Sequence, residues 1–418
     1  MKKIARTLKK YSDIARVKRN VLNIIGILDG EYAYKGPDCV QIDLTNNCNN
    51  NCIACWCNSP LLGDKATPPD VKKQTLEYEV VIRLIDKLAA MGTMELYFSG
   101  GGEPLMHPRA LDIIAYAKSK GFICQLHTNF TLADEPALAR MLESKLDHLV
   151  VSLWAATSPS YVKTHPNKQE EDFLRIKRLL IALNAKKNMF PRVRVYNVIS
   201  QLNYAEFLSM ADFALETGCE SVEFTVVDTI PGRTEGLLLD GPQTRQLLQM
   251  CDKAKNDRRY YDAQGRCIIE NFEHFVRRAS SSHSRDAEYD KGFLDTMPCY
   301  VGWLFARIIA DGNVNSCLKA HRIPIGNLYA EDFDVIWNNA RQREFRRCAL
   351  RPQKDSPLLR MIGNDPEKNV GCYKSCDDVG RNICMHQKLA GLTPSRRKAL
   401  QALANTARFN NAFFRRRW

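Results

Sequence analysis

Four of the fifteen cysteines fall within ten residues, at Cys48, Cys52, Cys55 and Cys57. The run Cys48-Asn49-Asn50-Asn51-Cys52-Ile53-Ala54-Cys55 has the spacing CxxxCxxC. Three thiolates so spaced on one loop reach three corners of an iron–sulfur cube and leave the fourth iron open to a small ligand, which can receive an electron there. Zinc is the competing chemistry and would take its fourth ligand from His107 or His127. Cys57 is a surplus thiol, read as a packed neighbour. Six more cysteines lie in the last third, at Cys299, Cys317, Cys348, Cys372, Cys376 and Cys384. Cys39, Cys124, Cys219, Cys251 and Cys267 are scattered and read as small buried hydrophobes.

The elements that must position these thiols alternate between β-rich and helical runs. Strands are expected at Cys39–Leu44, Glu95–Ser99, Ile123–His127, His148–Trp154, Arg192–Ile199 and Ser221–Val227. Helical stretches near 75–91, 108–120, 134–144, 170–187 and 204–217 separate them. Such crossovers imply parallel βαβ units, with ligands at the carboxyl ends of the strands. The cysteine loop then sits at that edge, four residues beyond the first strand. Ser99-Gly100-Gly101-Gly102-Glu103-Pro104 follows the second strand directly. Further on, Asp311-Gly312 between two strand-like runs marks a hairpin that brings Cys299 and Cys317 together.

Composition narrows the class. The chain has 418 residues, 45% hydrophobic and 26% charged, enough for a large α/β domain and a smaller one. No apolar run is long enough to span a membrane and no secretory signal is read, so a cytoplasmic protein without disulfides is expected. The net charge of +13 resides at the ends: residues 1–20 and 392–418 carry +7 each, which leaves the other 371 residues at −1. A central nucleic-acid groove is therefore not expected, whereas the basic ends remain open to a membrane surface.

The CxxxCxxC loop after strand one, with the Gly100–Glu103 turn after strand two, resembles the radical S-adenosylmethionine (SAM) superfamily across roughly residues 39–230. The resemblance implies an α/β fold, a partial (β/α)6 barrel with a small α+β C-terminal iron–sulfur domain. It also implies a [4Fe–4S] cluster on Cys48, Cys52 and Cys55 whose open iron chelates the amine and carboxylate of SAM. Reduction then cleaves SAM to a 5′-deoxyadenosyl radical that abstracts a substrate hydrogen. By the same resemblance Gly100, Gly101 and Gly102 let the backbone approach SAM closely and Glu103 orients their loop. Asn129, Ser152, Asn197 and Ser200 are the remaining candidate SAM contacts, beside His127 and Thr128. The family often has an aromatic residue just before the third cysteine; here Ala54 stands there and Trp56 follows.

The order Cys299, Gly312, Cys317, Cys372, Cys376, Cys384 resembles the SPASM extension, or its shorter twitch relative, which holds auxiliary [4Fe–4S] clusters. Six thiols cannot fill eight ligand positions, so one auxiliary cluster is expected, on Cys299, Cys317 and two of Cys372, Cys376 and Cys384, with Cys376 preferred to Cys384. The expected organisation is a basic helical extension over 1–38, the barrel over 39–235, a helical linker over 236–297, the auxiliary domain over 298–390 and a basic tail over 391–418.

The expected activity is that of a radical SAM oxidoreductase performing dehydrogenation, epimerisation or cross-linking, with a reducing partner such as flavodoxin or ferredoxin. Only 38 residues precede the first strand, too few for a packed leader-binding module, so the substrate is expected to be carbohydrate-like or otherwise small. A peptide- or protein-modifying maturase is the alternative. From another class, a zinc-stabilised nucleic-acid-binding protein would require zinc and central basic platforms. Catalytic residues are not assigned; Cys57, Tyr97, Tyr300 and Glu223 are candidate hydrogen donors that packing also explains.

Overall fold

The computed structural model describes residues 20–409 except 353, 355, 364–371, 373 and 374. Six strands fall within two residues of expectation: β1 (Cys39–Asp43), β2 (Glu95–Ser99), β3 (Ile123–Thr128), β4 (His148–Ser152), β5 (Arg192–Ile199) and β6 (Ser221–Val226). Helices Tyr78–Ala90, Ala110–Ser119, Glu135–Glu143, Glu170–Lys186 and Phe207–Glu216 connect them, and each strand pairs parallel with the next. The alternation of strand side chains divides the sheet into two faces. Val40, Ile42, Leu96, Phe98, Leu126, Leu149, Val193 and Val195 are fully buried against the helix layer. The opposite face carries Gln41, Tyr97, His127, Arg194, Tyr196 and Glu223. A polar interior of this kind has to be internally paired. Arg194 meets Glu223 at 2.8 Å and also contacts Glu270, while Arg307 meets the buried Asp43 at 2.6 Å.

Two features correct the expected organisation. The stretch 236–297 is not purely helical: β7 (Ile269–Glu270) adds a seventh parallel strand beside β6. Moreover, β8 (Phe305–Ile308), the first strand of the expected hairpin, pairs parallel with β1, register Val40↔Ala306 and Gln41↔Arg307. The hairpin itself forms, with β9 (Asn313–Asn315) antiparallel to β8 and β10 (Gly326–Asn327) antiparallel to β9. Gly312 supplies its turn at φ +86°. A single sheet of order β10-β9-β8-β1-β2-β3-β4-β5-β6-β7 therefore runs through both expected domains, open at β10 and β7 among the described residues.

The N-terminal helix over 20–29 docks on this body. Ile24 and Ile27 join the main core, and Ile25 packs with Tyr34, Ala404 and Ala407 beside the C-terminal helix Pro394–Phe409. The apolar run Leu22–Leu28 is thus largely covered by protein and is not a membrane-facing strip. Residues 1–19 and 410–418, most of the basic ends, lie outside the described residues. Arg346, fully buried, ties this region together. It donates to Glu31 O (3.0 Å), Gly302 O (2.8 Å), Trp337 O (2.8 Å) and Asn338 Oδ1 (2.8 Å).

Candidate active site

The carboxyl ends of β2 through β6 and the cysteine loop enclose a cavity of about 390 Å³. Cys48, Cys52 and Cys55 line it, as do Gly100, Gly101, Gly102, Glu103, His127, Thr128, Asn129 and Ser152. Cys57 does not. One cavity lined from five successive strands requires the sheet to curve around it. Burial pushes the Cys48 thiol up to about 11 and the Cys52 thiol up to about 12. Thiols in this state become thiolates only against a strong cation, which suits metal ligation.

The glycines, which line the cavity, also have a structural reason. A Cβ on Gly101 would lie 2.5 Å from Asn46 Oδ1, and one on Gly102 would lie 2.1 Å from Asn47 O. The backbone leading into the cysteine loop lies directly on Gly102 and the Asn46 side chain on Gly101, so a side chain at either position would displace that segment. Glu103 completes the junction. Its N–H donates to Asn47 O at 2.7 Å, and its carboxylate accepts from Thr128 Oγ1 (2.6 Å), Asn129 N (2.7 Å) and Leu105 N (3.0 Å). Asn129 in turn donates to Asn49 Oδ1 at 2.9 Å. The Gly100–Glu103 turn therefore binds the cysteine loop to the end of β3.

Asn197 and Ser200 are corrected. Tyr196 and Val198 line the cavity, so Asn197 between them points to the helix layer, where it is fully buried. Ser200 lies past the strand end, its N–H donating to Asn203 Oδ1 at 2.8 Å. The residue missed was Asn203, whose Nδ2 donates to Trp154 O (2.9 Å) and Val198 O (2.8 Å) and so joins the ends of β4 and β5. His107 is not a cavity residue: its Nε2 contacts Leu76 O at 3.0 Å and its Nδ1 accepts from Arg109 N at 3.1 Å.

The second cysteine set surrounds a smaller apolar cavity, walled by Val301, Leu318, Phe345, Ala349, Leu359 and Ile362. Cys299, Cys317, Cys372 and Cys376 all face it. Burial pushes the Cys372 thiol up to about 12 and raises the Cys299, Cys317 and Cys376 thiols as well. Cys384 does not join them. It is exposed on helix Val379–Ala390, which turns Val379, Asn382 and Met385 inward. The expected outcome is that Cys376→Ser removes about four irons from the reconstituted protein and Cys384→Ser removes none, read by iron and sulfide analysis.

Sequence reading also missed what joins the two cavities. Ser375 and Asp377, on either side of Cys376, line both. Lys319, two residues after Cys317, is buried with its Nζ 2.5 Å from Asp228 Oδ2 and against Ser375 Oγ. Its ammonium also lies over the Trp56 ring at 5.1 Å, and Trp56 Nε1 donates to Asp228 O at 2.9 Å. Arg278 lines the main cavity and donates to Cys376 O at 2.8 Å and Asp290 Oδ2 at 2.7 Å, while Cys376 N donates to the same Asp290 oxygen at 2.7 Å. Burial opposes ionisation of Asp290, yet Arg278 and Arg277 outweigh it and hold the carboxyl near 2. The only early signal was adjacency to cysteines in the chain.

His127 gives the site a pH dependence. Burial, and after it the Arg194 cation, push its imidazole down to about 4. An unfolded histidine titrates near 6.5, so the unfolded chain takes up the proton first. The stability due to neutral His127 is complete above pH 6.5 and is lost as pH falls from 6.5 toward 4. His127→Gln is expected to flatten part of that acid slope, measured as urea midpoints at several pH values. Only part is expected because fully buried His165 and half-buried His274 are also pushed down to about 4.

Comparison with known proteins gives the class. Residues 42–214 match the Radical SAM superfamily, and residues 299–360 match SPASM, an iron–sulfur cluster-binding domain. The chain belongs to the radical SAM superfamily and carries a SPASM domain. Its cofactors are a SAM-binding [4Fe–4S] cluster, SAM and at least one auxiliary [4Fe–4S] cluster. The residues present fit that set: three thiols and the buried amide Asn58 Nδ2, which has no partner among the described residues, line the main cavity, and four thiols line the second.

More particularly, the chain is 24% identical to the PqqA peptide cyclase of Gluconobacter oxydans (strain 621H) over 402 residues, 91% of this chain and 98% of that protein. It is 24% identical over 309 residues to the AdoMet-dependent heme synthase of Methanosarcina barkeri (strain Fusaro / DSM 804), 73% of this chain and 83% of that one. Among solved structures, native anSMEcpe with bound AdoMet superposes with TM-score 0.58 at 14% identity, covering 88% of this chain and 99% of that chain. Streptococcus suis SuiB bound to S-adenosylmethionine gives TM-score 0.56 at 14% identity, covering 82% and 73%. These two likenesses establish the shared fold. Among the described residues no helix is long and apolar enough to cross a membrane.

Proposed function

We propose that this protein modifies a peptide or protein side chain by radical chemistry, forming a cross-link or removing hydrogen. The observation that carries this reading is near full-length similarity to a peptide cyclase, 98% of that protein's length. Solved neighbours of the same fold bound to the precursor peptide SuiA and to the Cp18Cys peptide support it. They favour a peptide over the carbohydrate-like substrate expected from the short N-terminal extension.

In this reading Cys48, Cys52 and Cys55 hold the SAM-binding cluster, and Cys299, Cys317, Cys372 and Cys376 hold the auxiliary one. With SAM bound and the cluster reduced by a flavodoxin- or ferredoxin-like partner, the pair supplies a 5′-deoxyadenosyl radical to the cavity. The Gly100–Glu103 turn fixes the cysteine loop, and Ser152 and Asn129 face SAM. Arg278, Asp228 and Asp377 form the substrate wall next to the auxiliary cluster.

The test uses deuterium as the label. Reconstituted protein is incubated with dithionite, SAM and either a uniformly deuterated peptide digest or a deuterated monosaccharide mixture. Deuterium in 5′-deoxyadenosine from the peptides alone supports the reading, and deuterium from the sugars alone overturns it.

A further inference from the structure

Trp154 follows β4 and breaks a local rule. Its φ is +59°, a left-handed conformation that a bulky side chain avoids. The surroundings enforce it. Leu153 N donates to Tyr196 O (3.0 Å), Asn203 Nδ2 to Trp154 O (2.9 Å) and Ala156 N to Glu206 Oε2 (2.8 Å). The ring rests 5.6 Å from that of His165, which stacks on Tyr161 at 4.3 Å. A backbone held this firmly in a strained form points to what the side chain is placed to do.

The side chain lines the main cavity, is 9% exposed, and its Nε1–H has no acceptor. The other described tryptophans each donate to a backbone carbonyl: Trp56 to Asp228 O, Trp303 to Tyr32 O and Trp337 to Lys35 O. A buried N–H without an acceptor is destabilising, because it has given up water and gained nothing in return. Trp154 therefore presents both a strained backbone and an unmatched donor on the wall of one cavity. Ser152 lies on the same wall, two residues back along the chain.

We propose that Trp154 is a SAM-positioning residue whose indole N–H donates to an acceptor atom on the nucleoside half of SAM. Asn203 holds the backbone that aims it, and the His165–Tyr161 stack supports the ring. The donor has no acceptor among the described residues and gains one when SAM enters. The inference depends on SAM binding and not on the nature of the substrate.

The test is calorimetric binding of SAM to anaerobically reconstituted protein with its clusters oxidised. Trp154→Phe keeps an aromatic ring and removes the N–H. Its Kd for SAM is expected to rise roughly three- to tenfold, with iron content and melting temperature held. An unchanged Kd, or a rise that only follows lost iron, overturns the proposal. A second measurement needs no variant: in wild-type protein carrying ¹⁵N-labelled tryptophan, SAM is expected to slow hydrogen exchange at one indole N–H. If no indole responds, the proposal fails.

Discussion

Replacing Cys48, Cys52 and Cys55 together by alanine is expected to remove about four of about eight irons and to abolish 5′-deoxyadenosine formation from SAM under dithionite. Four thiols at a separate cavity, Cys299, Cys317, Cys372 and Cys376, account for the irons that remain. About twelve irons in the wild type would call for a second auxiliary cluster, which the remaining described cysteines do not offer in one place: Cys348 packs behind the second cavity without lining it and Cys384 is exposed. Zinc in place of iron, with no SAM cleavage, would sink the assignment of both sites. The auxiliary irons serve as an internal control, because a variant that misfolds loses both sets and one that lacks only its ligands loses one.

The second large effect concerns stability and lies far from the cysteine loop. Arg346→Met is expected to cost on the order of 3–5 kcal/mol, seen as a lower urea midpoint. The guanidinium is fully buried and makes no ion pair among the described residues, and burial, against the weaker pull of Asp29, pushes it down to about 9. It is held by three backbone carbonyls, the Asn338 amide oxygen and the faces of Trp303 (5.5 Å) and Trp337 (4.8 Å). Methionine fills the volume and takes the donor from Glu31 O and Trp337 O, while Gly302 O keeps Gln342 Nε2 and Asn338 Oδ1 keeps Ala33 N. Lysine is expected to rescue little, since one ammonium cannot reproduce the planar fork that spans Glu31, Gly302 and Trp337. A loss below about 1 kcal/mol would show that packing of the tryptophans, not the guanidinium, holds the N-terminal segment.

The parts of this architecture carried by periodicity were legible in the chain. The strands alternate, the connecting helices repeat at the right length, and CxxxCxxC falls at a strand end, so the barrel core and the first site followed from local pattern. The C-terminal hairpin was legible from Asp311-Gly312, but its partner was not. Phe305–Ile308 pairs with β1 across more than 260 residues, and no local signal records which edge a strand will join. Asn197 was misplaced because a polar residue on a strand was read without its parity relative to Tyr196 and Val198. Cys384 was ranked below Cys376 on spacing alone; its exposure follows from the face of helix Val379–Ala390, which turns Val379, Asn382 and Met385 inward. Lys319, Asp228, Ser375 and Arg278 are scattered through the chain and meet only in three dimensions.

The pairing of β8 with β1 has a consequence for how this protein is cut, fused or recombined. The auxiliary-cluster region is not a module appended by a linker: it continues the barrel's own hydrogen-bonded ladder. Among the described residues the sheet runs unbroken between the two cavities, so the distance between them is set by the sheet. Severing the chain before β8 would strip the edge of β1 and leave an unpaired strand able to recruit another chain. Grafting the region from a relative would succeed only where that edge register, Val40 opposite Ala306, is reproduced.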